Sequence, residues 1–220
     1  MVSWFYYFAK PMVRMLVFLL ARWQVKGREN VPRQGPVLVV ANHINLADPP
    51  LVALSLGRRA VFMTKEELFR SRFSGYFVGS FGAFPVHRGR LDRKALRQAE
   101  GVLAEGLPLV MFPEGMRSRG GQLRPAFPGS ALVALRSGAP ILPVAITGTE
   151  RIKGATWFLR RPKIKINIGH PFHLPPMNGR LTKTKRTELT NLIMGRIVEL
   201  LPVEYRGHYA EPGKSDDVKD

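Results

Sequence analysis

Short apolar runs alternate with helix-like stretches along most of this chain, and each run ends at a glycine, a proline or a polar residue. The runs 37–41, 60–63, 84–86, 109–112, 141–146 and 164–168 read as strands. Between and after them the pattern predicts helices over 49–56, 73–79, 92–105, 129–137 and 181–201. Strand and helix in alternation predict an α/β fold, a mostly parallel central sheet flanked by helices.

The N-terminus follows a different pattern. Aromatic positions 4–8 and apolar positions 12–20 are interrupted by Lys10, Pro11 and Arg14, and the longest charge-free run, 15–21, is far short of a spanning helix. Such an amphipathic helical segment is expected to bind in the membrane interface, with Lys10 and Arg14 reaching the headgroups. A helix packed on the core or on a partner is the other reading. The aromatics precede the charges and no small-x-small site follows, unlike a signal peptide. The expected division is a membrane-interface helical segment at 1–30, an α/β domain at 31–205 and a polar tail at 206–220.

Composition narrows the chemistry. At 220 residues and 45% hydrophobic, the chain supports one full core, with room for a small appendage. It has no cysteine, which excludes disulfides, thiolate zinc sites and a cysteine nucleophile. Lys and Arg total 34 against 16 Asp and Glu, and the resulting charge of +18 attracts polyanions. The basic residues are scattered, without a helix-turn-helix, zinc-finger or RNA-binding signature. An anionic membrane surface is therefore the expected partner, and nucleic acid is not.

The strand at 37–41 delivers Asn42, His43 and, five positions after the histidine, Asp48 to the place where open α/β sheets carry their chemistry. Histidine is readily poised as a base near neutral pH, and an aspartate accepting its other ring proton fixes the tautomer. On an ideal helix this spacing gives an offset of roughly 140°, so the pairing needs a turn. Asp48 precedes Pro49-Pro50, which predicts an N-cap aspartate with proline at the first helical position. A helix start uses such an aspartate without any catalytic duty, so the pair alone leaves both readings open.

Three further segments add to it. The loop at 112–121 combines Gly115, Arg117, Arg119 and the Ser118 hydroxyl, a set suited to a phosphate oxyanion. The segment 82–89 adds Arg88 after a short strand, and the run 141–146 carries Pro143 and suits a pocket wall. His170 and His173 bracket Pro171-Phe172 with no further ligand in reach of the sequence, so no metal site is expected.

In this order and spacing, the four segments resemble the glycerolipid acyltransferase family, whose best-known members are lysophosphatidic acid acyltransferases. The family's Asn-His-four residues-Asp block falls on Asn42, His43 and Asp48, and its Gly-five residues-Arg block on Gly82 and Arg88. Its Glu-Gly-Thr-Arg-Ser block falls on Glu114, Gly115, Arg117 and Ser118, with Met116 in place of threonine, and its fourth block is the Pro143 strand. The likeness spans about residues 31–172. It departs from the family at Phe127-Pro128, where many members carry a basic residue before the glycine of the next helix; Arg124 or Arg119 could substitute.

The resemblance implies that His43 is the general base for a glycerol hydroxyl and that Asp48 orients it. It implies an acyl-CoA or acyl-carrier-protein cosubstrate, no other cofactor and no covalent acyl-enzyme. Asn42, Gly82, Arg88, Glu114, Gly115, Arg117, Ser118 and Pro143 would line the acceptor site. The expected activity is transfer of a fatty acyl group to the sn-2 hydroxyl of 1-acylglycerol 3-phosphate, giving phosphatidic acid, by a protein peripheral or monotopic on the cytoplasmic face of a membrane. Two alternatives stand beside it: another lysophospholipid or an acylated amino acid as acceptor, and a non-enzymatic binder of anionic lipid or nucleic acid that would ignore His43.

Overall fold

The computed structural model describes residues 19–69, 82–86, 92–177 and 179–210, with Met15 and Gly79 as isolated positions. Most of the N-terminal segment, the helix expected over 73–79 and Arg88 lie outside the described residues.

Among the described residues seven strands form one sheet: β1 (Arg22–Lys26), β2 (Val37–Ala41), β3 (Val61–Lys65), β4 (Ala83–Val86), β5 (Pro108–Met111), β6 (Ile141–Thr147) and β7 (Lys163–Ile168). Among the same residues four α-helices accompany them: α1 (Asp48–Leu56), α2 (Arg93–Ala104), α3 (Gly129–Ser137) and α4 (Lys183–Val198). The spatial order is β1-β7-β6-β2-β5-β3-β4. The five strands from β6 to β4 are parallel, β7 is antiparallel to β6, and β1 is parallel to β7. As a result, the C-terminal ends of β2, β5 and β6 share an edge with the N-terminal ends of β7 and β1.

β2 shows why the run Val-Leu-Val-Val-Ala becomes a central strand. All five residues are fully buried, and successive side chains enter opposite layers. Leu38 and Val40 pack with α2, α3 and α4, whereas Val37, Val39 and Ala41 pack with α1. A parallel strand covered on both faces needs an unbroken apolar run rather than alternation. The helices are ordered by the same rule. α2 buries Ala95, Leu96, Ala99 and Leu103 along one stripe and is capped by Asp92, which accepts from the Lys94 and Ala95 amides.

Two boundaries differ from expectation. Arg22–Lys26 is the edge strand β1, with Trp23 and Val25 packed on the core and Arg22, Gln24 and Lys26 exposed. The segment expected at 1–30 therefore contributes a strand to the sheet; the pattern has only two apolar positions, and an adjoining apolar stretch obscured it. Residues 206–210, expected within a polar tail, fold back on the domain, where Tyr209 packs against the core. Among the described residues no helix is long and apolar enough to cross a membrane.

Candidate active site

The site is built outward from the end of β2. Asn42 is buried and its side chain is consumed by β6: Nδ2 donates to the Ile146 carbonyl at 2.9 Å and Oδ1 accepts from the Ile146 amide at 2.7 Å. These bonds prolong the β2–β6 pairing by side chain, one step beyond the last backbone pair, Ala41 and Val144. His43 thus leaves the sheet on a fixed main chain.

The turn that the spacing requires is present. His43 Nδ1 lies 2.9 Å from Asp48 Oδ2, and the same oxygen accepts the amides of Ile44 at 2.6 Å and Asn45 at 2.7 Å. Asp48 is completely buried and His43 is 8% exposed. An ionised carboxylate can only accept, so Nδ1 carries the proton and Nε2 presents the free lone pair. The expectation that Asp48 caps its own helix is corrected: it is the first residue of α1, Ala47 is the N-cap, and no side chain caps the helix. The carboxylate instead folds back over the loop before it. Five-residue spacing works because the chain turns around Asp48 Oδ2.

The loop after β5 grips the same histidine. The His43 amide donates to Glu114 Oε1 at 2.8 Å, and the His43 carbonyl accepts from the Ser118 amide at 2.7 Å and from Ser118 Oγ at 3.3 Å. The Phe112 ring stacks on the imidazole, with centroids 4.3 Å apart and planes 26° from parallel. Glu114 Oε2 accepts the Arg124 amide at 2.9 Å, tying together the two ends of its loop. Burial pushes the Glu114 carboxyl up to about 7, against the two amide donors that favour its charged form. Gly115 holds φ 67° in this turn, and a Cβ there would meet the Phe127 ring at 2.9 Å. Only glycine meets both demands without strain.

Among the residues assigned to acceptor binding, Asn42, Glu114 and Ser118 face the protein's own backbone and hold His43 in place. Arg117 is partly exposed beside them, next to the exposed Met116. The structure does not bring Gly82 or Pro143 to this cluster. Gly82 precedes β4, at the opposite end of the parallel strands from His43, and its φ of 75° makes the turn into that strand. Pro143 is buried within β6 opposite Val40, three residues short of the Ile146 contact. Its carbonyl accepts from Gly169 where β7 ends, a position where a missing N–H is tolerated.

The comparisons with known proteins bear on this geometry. A family model described as Acyltransferase matches residues 22–147, more than half of the chain. The chain belongs to the acyltransferase family. Its relatives include the 1-acyl-sn-glycerol-3-phosphate acyltransferase of Borreliella burgdorferi, 29% identical over 80% of this chain and 70% of that protein. That of Bacillus subtilis is 26% identical over 89% of this chain and 96% of that one. Coverage is lower for the chloroplastic enzyme of Brassica napus, of which the chain spans 50% at 27% identity. Among solved structures, the 1-acyl-sn-glycerophosphate acyltransferase of Thermotoga maritima aligns with a TM-score of 0.63 and 29% identity, covering 85% of this chain and 75% of that one.

In this acyltransferase, residues outside the four motifs also touch the loop that holds His43. The 203–210 stretch straps the loop that holds His43: the Leu123 amide donates to the Tyr205 carbonyl at 2.9 Å, the His208 amide to the Leu123 carbonyl at 3.1 Å, and the Ala126 amide to the Tyr209 hydroxyl at 3.1 Å. The Tyr205 hydroxyl donates to Glu150 Oε1 at 2.9 Å, linking the strap to the end of β6. Tyr205 at the end of the expected domain and Tyr209 just inside the expected polar tail are the available signal. Phe112 ends the run 109–112 that predicts a strand, and nothing in a strand pattern announces that its ring lies on a histidine.

Proposed function

We propose that the protein transfers a fatty acyl group from a thioester donor to the sn-2 hydroxyl of 1-acylglycerol 3-phosphate, giving phosphatidic acid. The observation that carries this reading is the buried 2.9 Å contact between His43 Nδ1 and Asp48 Oδ2, which leaves Nε2 as the base. Nε2 takes the hydroxyl proton as the oxygen attacks the thioester carbonyl. The C–O bond forms, the C–S bond breaks, and the imidazolium returns its proton to the departing thiolate. Asp48 supports the imidazolium through that cycle. The chemistry needs no enzyme-bound acyl group, in keeping with a chain that has no cysteine.

Arg117 on the 114–118 loop, joined by Arg88, is proposed to hold the acceptor phosphate as a charge-assisted partner. The relatives named above support this acceptor. The donor is acyl-CoA or acyl-carrier protein, both acidic and both favoured by a charge of +18. The protein is proposed to work as a peripheral or monotopic enzyme on the cytoplasmic face of an anionic membrane, docked through its N-terminal segment. Purified protein assayed with lysophosphatidic acid and each donor tests the reading; no phosphatidic acid from either donor overturns it.

A further inference from the structure

The edge of the sheet that carries His43 also carries a concentration of positive charge that the acyl-transfer site does not use. Arg22, Arg151, Lys153, Arg160, Arg161 and Lys163 line a concavity of about 420 Å³ around the buried Pro162. Glu150 lies 3.6 Å from Arg151 and is already engaged by the Tyr205 hydroxyl and the Gly148 amide. Immediately before the arginine pair, the short 3-10 turn Trp157–Arg160 exposes two large apolar side chains in succession, Phe158 at 40% and Leu159 at 71%. Adjacent apolar side chains projecting into solvent beside a cationic cluster are unfavourable in water and favourable at a lipid interface.

The position of this corner supports the same partner. The Arg22 amide donates to the Pro162 carbonyl at 3.0 Å, so the loop is tied to the start of β1, where the N-terminal segment joins the sheet. On its other side, the Ile152 carbonyl accepts from the Asn45 side chain at 3.3 Å, two residues after His43. Gly148 holds the loop's base at φ 89°, with the Lys163 carbonyl where a Cβ would stand. The corner therefore adjoins both the start of β1 and the loop that carries His43.

We propose that the 153–163 loop is a second membrane contact, in which Phe158 and Leu159 enter the apolar boundary of an anionic bilayer while the surrounding arginines and lysines take lipid phosphates. This rests on the reading of the acceptor as a membrane lipid. It adds a docking point on the edge of the sheet that carries His43, so that an acceptor can be acylated without leaving the interface.

The absence of cysteine makes the test direct. The full chain with Leu159→Cys carries an environment-sensitive fluorophore, and Glu188→Cys on the exposed face of α4 provides the control. Phosphatidylglycerol–phosphatidylcholine vesicles should shift the emission of the 159 label to the blue and expose it to brominated-lipid quenching, with the 188 label unchanged. In unlabelled protein, Lys153→Gln with Arg160→Gln should lower partition onto these vesicles about tenfold at low salt. Activity on detergent-dispersed acceptor should be retained in the double variant. Vesicle-bound protein whose 159 label reports only water overturns the proposal and leaves docking to the N-terminal segment. Failure to bind vesicles at all overturns it together with the membrane reading. A 159 label that responds to coenzyme A and not to vesicles overturns it in favour of a soluble polyphosphate.

Discussion

The Glu114 carboxylate receives the main-chain N–H of His43 at 2.8 Å, so the loop after β5 sets the position of the residue at the end of β2. Its second oxygen holds Arg124, and both acceptor sites are used inside the protein. Glu114→Gln offers one oxygen to two amide donors and sets an NH2 group against one of them, at a cost of about 1–3 kcal/mol. The expected result is a fall of at least tenfold in kcat with little change in KM for lysophosphatidic acid. A variant that raises KM and leaves kcat intact would mean that Glu114 binds the acceptor directly.

The same group makes stability depend on pH. Its carboxyl is raised to about 7 in the folded protein from an ordinary 4.5, chiefly by burial. A raised acid binds its proton more tightly folded than unfolded, so its contribution to stability is lost as pH rises between these values and levels off above about 7. Melting temperatures of wild type and Glu114→Gln between pH 5 and pH 8 check this: the wild type should show a downward component that the variant lacks. Parallel curves would contradict it.

Asp48 serves the loop and the imidazole through one oxygen. Asp48→Asn can present its amide oxygen or its NH2 group to the His43 ring, but it cannot supply the charge that favours an imidazolium. Activity should fall on the order of 10³-fold or more by analogy with other oriented histidine bases, with a measurable loss of stability because the Ile44 and Asn45 amides share that oxygen. Steady-state kinetics with thermal unfolding on the same preparation check both parts.

Much of this arrangement was legible in the sequence. The runs at 37–41 and 129–137 match β2 and α3 in full, because apolar runs of the right length with a glycine or polar stop leave few alternatives. The pairing of His43 with Asp48 was legible as a need for a turn, but the site of that turn was not. A proline-flanked aspartate looks the same whether it caps its own helix or folds back on the preceding loop. The internal duties of Asn42, Glu114 and Ser118 were illegible for another reason: their partners are backbone groups of residues up to 104 positions away, and backbone partners leave no trace in residue type. β1 was hidden by its low apolar content.

The strap at 203–210 acts on the site through the loop at 114–128. Tyr209→Phe removes the acceptor of the Ala126 amide and should cost about 1 kcal/mol of stability. A stability loss of that size, with a several-fold lower kcat and unchanged donor KM, is expected from urea unfolding and kinetics. An unchanged kcat would show that the strap supports folding alone.

The proposed acyl transfer depends on Nε2 of His43 as the base for the acceptor hydroxyl. This role is tested most directly by single-turnover acyl transfer from a labelled thioester to lysophosphatidic acid, comparing wild type with His43→Ala at matched folding, verified by thermal unfolding. The predicted result is a loss of 10²-fold or more in the chemical step, with acceptor binding retained. A folded His43→Ala protein that transfers acyl groups at the wild-type rate would contradict the account.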